Sequence, residues 1–262
     1  MTSDTTSLEI TLPLSPLKVS FPTRLHGLDQ NEEWFEVEHE GRRRRFRLHD
    51  YAAIFSIPGL YESLVYQALK CRSPEQVVRP LALALAANEA TPESLRVLDL
   101  GAGNGIVGEL LRQAGVRDIV GLDILPEAAT AARRDRPQVY DDYFVTDLTE
   151  SRPAIERRLR DFAPNCLATV AALGFGDIPP EAFVRAFNLL PPGGWLAMCI
   201  KDRFLDENDD SGFGMLVRGM VTDGTIEVLH RKRYVHRLSI AGEKHHYVAV
   251  IARKQRDAQL RA

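Results

Sequence analysis

Three glycines and three aspartates in the middle of this chain have the types and spacing to hold a ligand. In RVLDLGAGNGIVGELL, residues 96–111, an apolar run (Val97, Leu98, Leu100) leads into Gly101, Gly103 and Gly105 at alternate positions. A helical pattern of Ile106, Val107, Leu110 and Leu111 follows. A strand, a glycine turn and a helix start form a cradle. Glycine lets the backbone turn sharply and lets a ligand come to contact distance, and the free N–H groups at a helix start attract electron-rich atoms. Asp99, Asp123 and Asp147 are equally spaced, each near the carboxyl end of an apolar run. Open α/β sheets bind their ligands at those strand ends. A carboxylate there can accept both hydroxyls of a ribose, and another can accept from an adenine amino group.

Two registers of the glycines compete. Gly103, Gly105 and Gly108 spell G-x-G-x-x-G, the dinucleotide fingerprint, which requires the strand to run on to about Ala102. That strand would carry Asp99 and Gly101 in its interior, and a buried ionised Asp is costly while glycine weakens strands. If the strand ends at Asp99 to Leu100, the turn reads D-x-G-x-G-x-G. This resembles the first motif of the class I S-adenosylmethionine (SAM)-dependent methyltransferases, and the resemblance extends from about residue 95 onward. It implies a Rossmann-like α/β fold: a seven-stranded, mostly parallel sheet in the order 3-2-1-4-5-7-6, last strand antiparallel, with helices on both faces. It also implies SAM as cofactor and S-adenosylhomocysteine as product. In that family the position of Asp123 takes the ribose hydroxyls. Asp147 then matches the acceptor for the adenine amino group, with the N–H of Leu148 available to a ring nitrogen. Asp99 is expected to orient the glycine loop or hold the methionine amino group through water. Gly101, Ala102, Gly103, Gly105, Ile124 and Ala171 complete the expected cofactor contacts. Asp123 would serve NAD equally well, whereas a nicotinamide site does not need Asp147. The plainer role for Asp147 is an N-cap for the next helix.

The elements that must position these groups repeat one unit. DIVGLDIL is a second buried strand, PEAATAARR an alanine-rich helix with Pro126 at its start, and YFVTDL a third strand. The helix RPAIERRLRDFA precedes a fourth strand and its loop, CLATVAALGFGDIP. Helix PPEAFVRAFNLL, a P-G-G turn, strand WLAMCIKD, a helix over 211–221 and a long hairpin (TIEVLHRKRYVHRLSI, HHYVAVIARK) complete the pattern. The loop after the fourth strand lies beside the transferable methyl group in the family. Enzymes that methylate exocyclic base amines or protein glutamine often carry N/D-P-P-Y/F there. This chain has Ala171, Ala172, Leu173, Gly174, Phe175, Gly176 and Asp177 instead, which argues against those subfamilies. Phe175 is a candidate on the substrate side. No catalytic residue is assigned. Asp177, His236 and His49 are candidate bases or orienting groups without a motif behind them, and a base is needed only if the acceptor must lose a proton.

Residues 1 to about 30 lack periodicity and carry Pro13, Pro16 and Pro22, so they read as an extended or partly disordered arm. WFEVEHEGRRRRFRL alternates like a β-hairpin turning at Glu40 and Gly41, with Arg42 to Arg45 placed to pair with its glutamates rather than with phosphate. Two helical stretches follow, one broken at Pro58 and Gly59, the other starting at Ser73 and Pro74. Residues 1–90 are thus expected to form an arm, hairpin and helical cover, and residues 91–262 a SAM-binding domain. In similar methyltransferases the helices before the first strand fold over the cofactor, which makes Tyr51 and Tyr61 candidate lid residues.

At 262 residues and net charge −3, the chain is long enough for a sizeable core and has no general attraction to nucleic acid or anionic membrane. Cys71, Cys166 and Cys199 are far apart, so neither a zinc site nor a disulfide framework is indicated. His245 and His246 are expected to be exposed rather than metal ligands. The N-terminus has neither a signal-peptide pattern nor a membrane span, and a cytoplasmic location is expected. The expected function is methyl transfer from SAM to a small molecule. Methylation of protein or RNA, and SAM binding without catalysis, are the alternatives.

Overall fold

Tertiary contacts divide the chain into two units, Met1–Arg72 with Val235–His245, and Ser73–Tyr234 with His246–Ala262. The computed structural model describes residues 5–11, 16–22, 30, 32–39, 41–173, 177–206, 209 and 212–260. The first unit is built on an antiparallel sheet of β1 (Thr5–Thr11), β2 (Pro16–Pro22), β3 (Trp34–His39) and β4 (Arg42–Arg47), in that order. Alternate residues Leu17, Val19, Phe35, Val37 and Phe46 face one core, which they share with Ile54 of α1 (Tyr51–Ser56) and Leu64 of a π-helical turn (Glu62–Ala68). The expected arm is therefore in part a pair of strands. Its prolines do not prevent this, because Pro16 and Pro22 stand at the two ends of β2, where a missing N–H costs little. The arginine-rich strand pairs its charge as expected. Glu36 takes Arg43 at 2.9 Å and Arg45 at 3.2 Å, and the Arg45 guanidinium lies 3.9 Å from the centre of the Trp34 ring. Glu33 is buried and bonds Arg237 at 2.6 Å and the Ile240 N–H at 2.7 Å, which ties the 235–245 segment to this unit.

The second unit begins with α2 (Ser73–Ala87) and continues β5 (Arg96–Leu100), α3 (Ile106–Gln113), β6 (Asp118–Asp123), α4 (Pro126–Asp135), β7 (Asp142–Val145), α5 (Pro153–Phe162), β8 (Cys166–Thr169), α6 (Pro180–Asn188), β9 (Trp195–Lys201), α7 (Gly212–Thr222) and most of β10 (Ile226–Leu238) and β11 (Lys244–Lys254), whose residues 235–238 and 244–245 count with the first unit. The sheet order is β10-β11-β9-β8-β5-β6-β7, with β11 antiparallel to β9 and the pairs from β9 to β7 parallel. Numbered within this sheet, that is the expected 3-2-1-4-5-7-6. Continuous apolar runs make strands covered on both faces. One core joins Leu98 and Leu100 to Phe183 and Phe187 of α6 and Val217 of α7. The other joins Val97 and Cys199 to Val77 and Leu81 of α2 and Val107 and Leu111 of α3. Among the described residues, no helix is long and apolar enough to cross a membrane.

Candidate functional site

The strand registers bring the singled-out acids to one end of the sheet. Asp99 stands opposite Gly121 on β6 and Ala168 on β8, and Asp123 stands opposite Val145 on β7. After β5 the chain turns through Gly101 (φ 74°), Gly103 (φ 54°) and Gly105 (φ 90°), the left-handed region that only glycine enters cheaply. The turn is anchored where the Gly101 and Ala102 N–H groups both donate to the Leu122 carbonyl, at 2.9 and 3.1 Å. Space is as tight as the backbone: a Cβ on Gly101 would lie 2.6 Å from Cβ of Ala172.

Asp123 holds the loop from the second strand. Its Oδ2 accepts the Gly103 N–H at 3.0 Å and its Oδ1 accepts the Leu125 N–H at 3.0 Å. Burial pushes this carboxyl above the usual range, against the pull of those backbone donors. The Ile124 N–H also draws on this carboxyl, which keeps acceptor capacity for a hydroxyl donor. Beside it, Ile124 is 54% exposed and offers an apolar face. Asp147 lies just past the end of β7. Its Oδ1 accepts both the N–H and the hydroxyl of Thr149, at 2.8 and 2.7 Å, and these bonds hold its carboxyl below the usual range. It does not cap α5, which starts at Pro153. Asp147 and the buried Leu148 border a cavity of about 820 Å³ that also reaches Arg152, Leu159, Arg185 and Leu189.

Asp99 is almost fully enclosed. Its Oδ2 accepts the Tyr140 phenol at 2.7 Å, while Oδ1 is buried without a hydrogen-bond partner. Burial raises its carboxyl to about 7, the Tyr140 bond opposes that rise, and the charge of Asp123 adds to it. Tyr140 itself is held far above its ordinary range by burial and by Asp99, so it remains a donor. Tyr143 meets Tyr140 edge to face at 5.3 Å and donates to the Gly103 carbonyl at 2.9 Å.

Sequence reasoning missed this tyrosine pair. The available signal was two glycines inside regular elements, which mark close approach of a neighbour. A Cβ on Gly108 of α3 would lie 2.5 Å from Val139 and 2.8 Å from Tyr140, and one on Gly121 of β6 would lie 2.8 Å from Tyr143. Gly108, the third glycine of the rejected dinucleotide register, is therefore a packing residue. Gly121→Ala is expected to destabilise the protein by about 1–3 kcal/mol through overpacking. Urea unfolding of the variant checks this.

Ala171 follows β8 with φ 56° and donates its N–H to Cys199 Sγ at 3.1 Å. Together, Asp99, Gly101, Ala102, Gly103, Gly105, Asp123, Ile124, Asp147, Leu148 and Ala171 occupy the carboxyl ends of β5, β6, β7 and β8. The remaining candidates belong to other segments. Asp177 is exposed at a bend before α6, and Phe175 lies outside the described residues. His49, Tyr51 and Tyr61 belong to the first unit, where Tyr51 meets His49 at 5.5 Å and Tyr61 at 6.5 Å. His236 is buried in that unit with Nδ1 3.7 Å from Cys71 Sγ. His245 and His246 are half-buried rather than exposed; Nε2 of His245 lies 3.8 Å from Glu33, because Glu33 and Arg237 draw that turn inward.

A sequence profile described as a methyltransferase domain matches residues 72–247. The chain belongs to the methyltransferase-domain family. Its sheet order and glycine loop are those of the class I, Rossmann-like SAM-dependent methyltransferases. Among solved structures, magnesium protoporphyrin IX methyltransferase from Synechocystis with bound SAM aligns at TM-score 0.50 and 14% identity, covering 79% of this chain and 98% of that one. A candidate RNA methyltransferase from Pyrococcus horikoshii aligns at TM-score 0.50 and 15% identity, covering 71% of this chain and 87% of that one. At these identities the two likenesses are of fold. No curated protein matches the chain by sequence. The methyltransferase domain thus carries its loop, its acids and its tyrosine pair in one unit.

Proposed function

We propose that this protein transfers a methyl group from SAM to a small-molecule acceptor, with the cofactor held at the carboxyl ends of β5, β6 and β7. The observation that carries the reading is Asp123, at the end of β6, with both oxygens fixed by backbone N–H groups and acceptor capacity left for a ribose hydroxyl. Ile124 supplies an apolar face for the adenine, and the Asp147 carboxylate with the Leu148 N–H supplies its polar edge. Gly101, Ala102, Gly103 and Gly105 let the cofactor lie against bare backbone, and Ala171 borders the reacting end. The sulfonium brings an activated methyl group, so the chain's own work is alignment of the acceptor and exclusion of water.

Two observations support a small acceptor. The loop after β8 lacks the N/D-P-P-Y/F residues of amine-methylating subfamilies, and three arginines of the β4 strand are already engaged by Glu36 and Asp50. That engagement weakens the case for the strand as a phosphate-docking surface. Calorimetric titration with SAM, S-adenosylhomocysteine and NAD tests the cofactor half of the reading. Saturable binding of both adenosyl ligands and none of NAD is expected, and the reverse pattern overturns it. Methyl transfer from labelled SAM to a small-molecule extract, set against RNA and protein fractions of the same cells, tests the acceptor half. Label entering only RNA or protein would sink it.

A further inference from the structure

Tyr140 and Tyr143 lie outside the glycine motif, yet their phenols meet it at two different points. Tyr140 Oη is 2.7 Å from Asp99 Oδ2 and 3.4 Å from the Ala102 carbonyl, and Tyr143 Oη is 2.9 Å from the Gly103 carbonyl. Gly108 and Gly121 leave the room the two rings fill. The Tyr140 bond consumes one oxygen of a carboxyl that is 1% exposed, and the other oxygen has no donor from the protein. A buried acceptor without a partner costs free energy unless a ligand supplies the donor. The cofactor's amino-acid end carries an ammonium group, the kind of donor such an oxygen lacks.

We propose that Tyr140 is a positioning residue for the amino-acid end of SAM, holding Asp99 by Oδ2 so that Oδ1 is left for the ligand's ammonium, while Tyr143 sets the glycine loop through the Gly103 carbonyl. The inference rests on the reading that this loop holds SAM. Neither tyrosine touches the transferred methyl group; both act through other groups.

The arrangement makes cofactor binding sensitive to pH. The groups facing Asp99 are the Tyr140 phenol, the Asp123 carboxyl, the Tyr143 phenol and the Cys166 thiol, and burial with Asp123 raises the Asp99 carboxyl to about 7. The ammonium binds the carboxylate and not the acid. Free protein therefore takes up a proton below about 7 that the complex must lose, so affinity falls on acidification and levels off above that pH. Without the Tyr140 hydroxyl the carboxyl rises further, and the fall begins at higher pH.

Calorimetric titration of the full chain with S-adenosylhomocysteine and with methylthioadenosine, which keeps the adenosine and sulfur but lacks the amino-acid end, tests the proposal between about pH 5.5 and 8. Both ligands carry the ribose, so any titration of Asp123 affects them alike and cancels in the comparison. For wild type, S-adenosylhomocysteine affinity is expected to fall about tenfold per pH unit below the midpoint, relative to methylthioadenosine. In Tyr140→Phe the midpoint moves up by about one unit or more. Asp99→Asn binds S-adenosylhomocysteine weakly at every pH, and adding Tyr140→Phe to it changes nothing further. Tyr143→Phe weakens both ligands without moving the midpoint.

A Tyr140→Phe profile identical to wild type overturns the proposal while leaving SAM binding in place. Should that variant fail to fold, a flat wild-type ratio between the two ligands overturns it equally. Absence of S-adenosylhomocysteine binding by wild type at every pH removes the cofactor reading and the proposal together.

Discussion

Asp123→Ala is expected to lower affinity for SAM by about a hundredfold or more, as read by calorimetry at neutral pH. The side chain has two tasks at once. On the proposed reading its carboxylate accepts the ribose hydroxyls, and a hydrogen bond to a charged group contributes about 1.5–3 kcal/mol, so the loss of two exceeds a hundredfold in binding. It also fixes the Gly103 N–H at 3.0 Å, so its removal loosens the glycine loop that the proposed reading sets against the cofactor. Asp123→Asn separates the tasks, because the amide oxygen can keep one backbone donor while its NH2 cannot accept a hydroxyl. The Asn variant should bind more tightly than the Ala variant and well below wild type. Undiminished affinity in both would remove Asp123 from the site.

Gly101→Val is expected to abolish detectable cofactor binding and to destabilise the fold by about 3 kcal/mol or more, from two separate causes. A β-branched residue at φ 74° is strained whatever its surroundings. Its Cβ would also meet Cβ of Ala172 at 2.6 Å and Cδ1 of Ile178 at 3.1 Å. Ala172 has no flexible end to move aside, and its neighbour Ala171 already sits at φ 56°. Gly41→Val is the control, since Gly41 has a similar φ of 71° with nothing within 4 Å of its Cβ. That variant should show only the backbone part of the cost, about 1–2 kcal/mol, and bind cofactor normally. Equal losses of stability in the two variants would show that close packing around Gly101 is not what demands glycine there.

The two variants probe the parts of the site that local sequence could reveal. Strand, turn and helix around Gly101 are legible because each rests on near neighbours: apolar runs make strands, and glycines at alternate positions mark a chain that must turn left-handed. Asp123 is legible for the same reason, since it ends an apolar run at the helix-crossover spacing that brings successive strand ends side by side. The sheet order came from the resemblance to the class I methyltransferases, and the repeated strand–helix units and the terminal hairpin agree with it.

Other features depended on contacts that no local pattern encodes. β1 and β2 were hidden because a short strand with prolines at its ends has little periodicity, and only pairing with β3 shows that Leu17 and Val19 face inward. Asp147 was expected to end its strand, but β7 stops at Val145 and a turn with Thr149 takes over one carboxylate oxygen. His236, a candidate base or orienting group with no motif behind it, is buried by the fold beside Cys71. Tyr140 and Tyr143 carry no motif of their own. They matter because the return from α4 to β7 lays them over Gly121 and against the glycine loop, so that one phenol meets a carboxyl 41 residues earlier and the other a carbonyl 40 residues earlier. By itself the sequence determined the cradle and the acids, because periodicity, glycine and strand-end position are properties of neighbouring residues. The tertiary structure alone decided what enclosed them, because burial and an unpartnered oxygen arise only when distant segments come together.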